Sequence, residues 1–136
     1  MKNVLAVGPK PITRRVSASV ANVATMAVTA CSSRRALARL VRERRFHLAI
    51  AEWQSAGREG IAILSHLCIP VILIANPKHL AEAYRLAKSV EVVLETPINN
   101  QELAALAIAL ANGEKAAKQP DAASQQPTAM GRGAGQ

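Results

Sequence analysis

The chain has 136 residues, the length of one ordinary domain, and half of them are apolar although only Phe46, Trp53 and Tyr84 are aromatic. No apolar run reaches the roughly 18–20 residues of a membrane-spanning helix, and the stretch before Pro9 is too short for a signal peptide, so we expect a cytoplasmic protein. The formal net charge of +8 is uneven, since residues 1–46 hold ten Lys or Arg and one Glu. This asymmetry favours an acidic partner or nucleic acid.

Three strand–helix units are predicted in the first part of the chain. Each is a short apolar run, then a turn signal, then apolar residues at spacings of three and four. The strands are predicted at Asn3–Val7, Thr25–Ala30 and His47–Ala51. The helices are predicted from about Pro11, over Arg34–Arg45 and over residues 58–68. Ser32 or Ser33 can cap the second helix, because a serine oxygen accepts a hydrogen bond from a free N–H of the first turn.

Two further units follow the same pattern. The strands are predicted at Pro70–Ala75 and Val90–Leu94, and the helices at Lys78–Ser89 and Gln101–Ala111. Asn99 or Asn100 can cap the last helix, and Asn112 with Gly113 forms its stop signal. From Glu114 onward no apolar period is left.

Strands that alternate five times with helices predict one α/β domain. Such an order favours a parallel sheet with helices on both faces. With right-handed crossovers, the prediction is a flavodoxin-like (βα)5 three-layer sandwich with strand order 2-1-3-4-5. We expect this domain to span residues 1–112 and residues 113–136 to form a disordered tail.

The residues that usually carry catalysis are sparse. Cys31 and Cys68 form no C-x-x-C pair and are expected to be small buried hydrophobic residues. The three histidines are scattered, and no Gly-rich phosphate loop follows the first strand. We therefore expect no metal, no cofactor and no enzymatic activity.

Arginines dominate the first two helices. The second helix is covered by them outside its apolar stripe, and they form a predicted basic patch: Arg14, Arg15, Arg34, Arg35, Arg39, Arg42 and Arg45. One interpretation is an ordinary solvated helix surface. The other is a phosphate-binding surface for nucleic acid, although no aromatic-rich or helix-turn-helix signature accompanies it.

The segment after the third strand carries the best evidence of a family. Four residues carry it: Glu52, Gly57, Glu59 and Gly60. They are spaced like the acidic residue that ends the third strand, the loop after it and the start of the third helix in a known family. Further matching segments are Val28–Ala30, Arg35–Leu37, Pro70–Ile74 and Val92–Pro97. Together these residues resemble the response-regulator receiver domain, the CheY-like family, over roughly residues 3–112. The resemblance implies the flavodoxin-like fold and a role in two-component signal transduction.

The residues that receivers use for phosphoryl transfer do not carry over. Receivers take a phosphoryl group onto an aspartate, and this aspartate and an acidic pair after the first strand hold the metal that the reaction needs. Here Glu52 stands at the acceptor position, and Gly8 and Pro9 stand at the positions of the acidic pair. The family's hydroxyl, switch aromatic and lysine fall at Ala75, Val93 and Thr96. Because Mg²⁺ prefers oxygen ligands and the transfer needs cations, the resemblance implies a degenerate pseudo-receiver. It also implies a cis peptide bond before Pro97.

Three roles remain open for Glu52. Its charge can mimic a phosphoryl group permanently, it can be a solvated or capping carboxylate at a strand end, or it can pair with Lys10 or Arg58. A single carboxylate is too weak a ligand set to predict a metal site.

Receivers present their fourth helix, fifth strand and fifth helix to partners, and the last helix here is apolar nearly all round. The predicted partner or homodimer interface comprises Tyr84, Ala104, Ala105, Ile108 and Ala109. Two functions follow: a phosphorylation-independent signalling module acting by protein contact, or a basic nucleic-acid-associated regulator.

Overall fold

Five strands and five helices alternate in the computed structural model, which describes residues 2–21, 26–86 and 92–113. The strands are β1 Lys2–Val7, β2 Met26–Cys31, β3 Leu48–Glu52, β4 Val71–Ala75 and β5 Val92–Glu95. The helices are α1 Lys10–Ala21, α2 Arg34–Glu43, α3 Trp53–Ser65, α4 Leu80–Leu86 and α5 Asn100–Ala111, with a 3-10 turn at Pro77–His79 before α4. The predicted tail from residue 114 lies outside the described residues.

The sheet is parallel and has the predicted order, β2-β1-β3-β4-β5. The chain runs from β1 outward to β2 and then crosses back to β3, so the order reverses between β1 and β3. Loops on either side of such a switch point diverge and leave a crevice at the carboxyl ends of the strands. Gly8 and Glu52 are the residues that the topology brings to this crevice. The flavodoxin-like fold class is therefore confirmed.

Alternation along the strands sends side chains into two separate cores. Val4, Ile50 and Ile72 lie under α1 and α5, whereas Leu5, Ala49 and Leu73 lie under α2, α3 and α4. All six are at most 1% exposed. Both faces of the three inner strands are thus covered, which explains why these strands read as continuous apolar runs rather than as alternating patterns.

Side-chain caps fix three helix starts. Ser33 Oγ accepts from the Ala36 N–H at 3.1 Å and begins α2. Asn99 Oδ1 accepts from the Glu102 N–H at 2.9 Å and begins α5, while Gly113 at φ 88° ends it. Asn76 caps the 3-10 turn through the Lys78 N–H. Ser33 is therefore confirmed as the cap of α2, and Asn99 is confirmed as the cap of α5.

The predicted start of the third helix was wrong by five residues. Helix α3 begins at Trp53, because Glu52 caps it, and it bends at Gly57, whose φ of 63° and ψ of −172° are not helical. The glycine that suggested a loop is therefore a kink within a helix. A residue with a side chain is strained in this conformation, so glycine suits the position.

Other differences are smaller. Helix α2 ends at Glu43 rather than Arg45, because Arg44 leaves the helical conformation. Helix α4 begins at Leu80, and the predicted part of it at residues 87–89 lies outside the described residues. Cys68 is exposed at φ 57° in the turn after α3, so the expectation that both cysteines are buried was wrong for this one. None of the helices in the described ranges combines the length and apolar character needed to cross a membrane.

Candidate functional site

The crevice at the carboxyl ends of the strands brings the predicted pocket residues together. Gly8 follows β1, Glu52 ends β3, Ala75 ends β4 and Thr96 follows β5. The Thr96 N–H donates to the Ala75 carbonyl at 3.0 Å, and the Gly8 N–H donates to the Cys31 carbonyl at 3.0 Å. These backbone hydrogen bonds extend the β1–β2 and β4–β5 pairing by one residue each, and they fix the first residue of the loop after β1 and of the loop after β5.

Glu52 acts as the N-cap of α3. Its Oε1 accepts from the Ser55 N–H at 3.1 Å and from the Ser55 hydroxyl at 2.6 Å. A carboxylate at this position satisfies a free backbone N–H and interacts favourably with the helix dipole. The capping role is thus seen in the structure. The proposed pairing with Lys10 or Arg58 is not, since no ion pair among the described residues includes Glu52.

Gly8 lies directly against the stem of Glu52. A Cβ added at Gly8 would meet Glu52 Cβ at 3.3 Å and Ile12 Cγ2 at 3.6 Å. The first contact is tighter than nearly all that real Cβ atoms make, so an acidic residue at position 8 would require Glu52 to shift. The packing at Gly8 therefore disfavours a side chain at this position.

The crevice does not fit the divalent metal that receivers use. The described residues contain no cluster of three or more His, Cys, Asp or Glu side chains that could hold a metal ion. Pro9 is exposed and apolar, and the one carboxylate present is engaged by Ser55. One partly buried carboxylate leaves a hard cation, which takes six or more oxygen ligands, without the rest of its shell.

The remaining pocket positions are apolar or neutral. Ala75 is fully buried and Val93 is 7% exposed, so neither presents a polar group to the crevice. Thr96 precedes a cis peptide bond to Pro97, as the resemblance implied. The positions assigned to the pocket therefore lie at the carboxyl ends of the strands without a hydroxyl at Ala75, a ring at Val93 or a lysine at Thr96.

Comparison with solved structures identifies this architecture. The chain superposes on the receiver domain of a Francisella response regulator with a TM-score of 0.70 and 17% identity, covering 82% of this chain and 98% of that one. A response regulator receiver domain protein from Clostridium thermocellum gives 0.69 and 16%, covering 82% and 95%. The receiver domain of NtrX from Brucella abortus gives 0.70 and 16%, covering 82% and 99%.

The chain has the receiver fold. At these identities the likeness concerns the fold alone. No protein-family model matches the sequence, and no curated protein matches it either.

The receiver fold separates the predicted basic patch into two surfaces. Helix α1, with Arg14 and Arg15, covers one face of the sheet, and α2 covers the other. The Arg15 guanidinium also donates to the Ile98 carbonyl at 3.3 Å, which ties it to the loop before α5. The expectation of a single patch was therefore wrong, because the connections from β1 to β2 and from β2 to β3 run in opposite directions across the sheet and place α1 and α2 on opposite faces.

The arginines of α2 differ from one another in their contacts. Arg34 pairs with Glu59, and Arg39 lies 4.0 Å from Glu43. Arg35 and Arg42, four residues before and three after Arg39, share its exposed side of the helix. Neither has a carboxylate within 4.0 Å among the described residues.

The predicted interface on α5 is divided as well. Ala104 is only 6% exposed, so it contributes little surface, contrary to expectation. The reason is that α1 packs against this side of α5, which sequence periodicity within one helix does not show. Ala104, Ala105 and Ile108 line a groove of ≈ 590 Å³ between α1 and α5, whereas Tyr84 lies on α4 across the sheet and is 52% exposed.

Sequence reasoning missed a further hollow between α2 and α3. Val41 and Leu67 line two adjoining pockets there, beside Arg42, Arg44 and Arg45. Its residues were assigned to the apolar core or to a solvated helix surface. The signal that could have found it is the run Arg44-Arg45-Phe46, in which two cations precede a large apolar ring next to a strand.

Proposed function

We propose that the chain is a non-enzymatic, receiver-like module of two-component signalling that acts through protein contact and takes no phosphoryl group. The observation that supports this is the use of Glu52 Oε1 as the cap of α3, with Gly8 packed against the same side chain. A carboxylate in this position stabilises the start of α3. Without metal ligands beside it, it lacks the groups that phosphoryl transfer in receivers depends on.

Electrostatics supports the same proposal. Phosphoryl transfer depends on cations that neutralise charge as it develops. Positions 8, 9, 75 and 96 supply neither a carboxylate to hold a metal nor a lysine.

The direct test is incubation with acetyl phosphate and Mg²⁺, followed by intact-protein mass spectrometry. We expect no species heavier by one phosphoryl group, while a phosphorylatable receiver treated in parallel gains one. A phosphorylated fraction that grows with time and disappears in Glu52→Gln would contradict the proposal.

The proposed contact surface is the outward side of α5, and its proposed occupant is a second copy of the chain. Ala105 is exposed and Ile108 and Ala109 are half-buried, and the helix carries no basic residue that would oppose a like-charged copy. We expect Ile108→Glu to shift the protein toward monomer in analytical ultracentrifugation. Gln54→Glu is the matched control, because it adds the same charge at an exposed position of α3, outside the groove that Ile108 lines. Equal behaviour of both variants would count against this surface.

Nucleic-acid association is a second candidate, favoured by the exposed arginine stripe of α2. Arg35, Arg39 and Arg42 share one side of the helix and could neutralise phosphates independently of sequence. On this reading, binding of duplex DNA weakens steeply with salt and is lost in Arg39→Glu/Arg42→Glu. Absence of binding at low salt would remove this candidate.

A further inference from the structure

A groove lies at the end of the sheet opposite the crevice. Helices α2 and α3 pack closely near Gly60, where an added Cβ would lie 3.4 Å from Leu37. Toward their C-terminal ends the helices leave two hollows, of ≈ 420 Å³ and ≈ 300 Å³, which share Val41 and Leu67. We call this the α2–α3 groove; Ile63 lies at one end and Phe46 at the other.

The floor of the α2–α3 groove is apolar and open to solvent. Val41, Ile63 and Leu67 are each only partly buried, and all pack on the core beneath α2 and α3. Phe46, 8% exposed, and Ile69 close the end near the starts of β3 and β4. The floor therefore offers a ligand apolar contacts that the exposed arginines beside it do not.

The rim of the groove is basic. Arg42, Arg44 and Arg45 line it, and all three are exposed. Arg44 donates to the Thr29 hydroxyl at 3.1 Å, which holds its guanidinium over the edge strand. The carboxylate next in sequence, Glu43, lies toward Arg39, and no described carboxylate comes within 4.0 Å of these three arginines.

We propose that the α2–α3 groove binds an acidic amphipathic segment of a partner protein, with apolar side chains on the floor and carboxylates against the arginine rim. An apolar floor beside unpaired cations matches a ligand with both features at once. The groove is separate from the crevice and from α5, so the proposal does not rest on the proposed signalling function, although Arg42 belongs both to the rim and to the arginine stripe of α2.

Other occupants match the groove less well. A second copy of this chain carries a net charge of +8, so the rim repels it. Residues 114–136 hold three basic and two acidic residues, so their net charge is positive and does not complement the rim. A nucleic acid would satisfy the arginines but leave the apolar floor uncovered, and Phe46 is too buried to stack on a base.

The test uses the full chain and a fluorescent 14-residue peptide with Leu at positions i, i+3, i+4 and i+7 and Glu elsewhere. We expect it to bind at low salt, with the binding weakened at least about tenfold by Arg42→Glu/Arg45→Glu, because two attractions become repulsions. Arg14→Glu/Arg58→Glu is the matched control: it makes the same change of charge at exposed residues that line neither hollow. Leu67→Gln should weaken binding without changing charge. Circular dichroism verifies that each variant is folded.

Cys68 provides a second, local readout. It is exposed and lies between Leu67 and Ile69, both of which line the groove. The peptide should slow alkylation of Cys68 in the wild type and in the Arg14/Arg58 control, but not in the two groove variants. A peptide of the same composition with the leucines at alternate positions should protect less.

Three outcomes would overturn the proposal. Equal weakening by the two double reversals would mean that overall charge alone attracts the peptide. Unchanged binding in Leu67→Gln would mean that the floor is not used. Tighter binding of a single-stranded oligonucleotide or of phosphatidylserine vesicles, with full displacement of the peptide, would assign the rim to phosphates instead.

Discussion

At the scale of single residues, Glu52 shows how a position can keep its place in a fold and change its role. It ends the strand where receivers carry their acceptor, yet both of its hydrogen bonds go to Ser55. The sequence predicted a capping carboxylate as one of three roles. The choice between them required the third dimension, because neither Lys10 nor Arg58 forms an ion pair with Glu52 in the structure.

The cap gives a prediction about stability. Glu52→Ala leaves the first turn of α3 without its acceptor and should lower the free energy of unfolding by about 1 kcal/mol. Glu52→Gln keeps an oxygen at Oε1 and loses only the charge, so it should lose about half as much or less. Urea denaturation measures both. An equal loss in the two variants would mean that charge, not hydrogen bonding, stabilises the helix start.

The two cysteines give a second prediction. Burial raises the pKa of the Cys31 thiol, so less of it is thiolate at any given pH, and the buried sulfur is also shielded. Cys68 is exposed. Iodoacetamide at neutral pH should therefore modify Cys68 first and Cys31 only after denaturant is added, as followed by peptide mass spectrometry. Comparable rates for both thiols in the folded protein would contradict this.

At the scale of elements, the sequence predicted the residues that cap helices but not the kink within α3 or the helix that packs against α5. Ser33 and Asn99 cap their helices at the spacing that serine and asparagine caps require, and both were among the predicted candidates. The kink at Gly57 was predicted as a loop, because glycine is common both in loops and at bends within helices. The apolar surface of α5 was expected to face a partner, whereas α1, from the other end of the sequence, packs against part of it.

The start of α2 provides a matched pair of variants. Ser33→Ala removes the oxygen that accepts from the Ala36 N–H and should lower the free energy of unfolding by about 1 kcal/mol. Ser32→Ala is the control, since its neighbour Ser33 is the capping residue. Thermal and urea denaturation should separate the two variants. A loss at Ser32 as large as that at Ser33 would show that the cap is not the cause.

At the scale of the whole molecule, five apolar strands predicted the sheet order because parallel crossovers allow few alternatives. Right-handed crossovers in this strand order also place α1 and α2 on opposite faces, since the connection from β1 to β2 runs opposite to that from β2 to β3, so a single basic patch was already incompatible with the predicted topology. The fold then places two surfaces at opposite ends of the sheet: a crevice with the single capping carboxylate Glu52 at the carboxyl ends, and the α2–α3 groove at the amino ends. Both arise because the sheet separates the helices into two layers.

That separation predicts which core substitutions act independently. Ile50 and Ile72 are register partners in one cluster, whereas Ile61 belongs to the cluster on the opposite face. Each Ile→Val change should lower the free energy of unfolding by about 0.5–1.5 kcal/mol. The pair Ile61/Ile72 should be additive within about 0.5 kcal/mol, and the pair Ile50/Ile72 should not, because only the latter two side chains share neighbours. Double-mutant cycles in urea measure both pairs. If the opposite-face pair is coupled as strongly as the same-face pair, the sheet does not insulate the two clusters, and a ligand in the α2–α3 groove would then be able to influence α1 and α5.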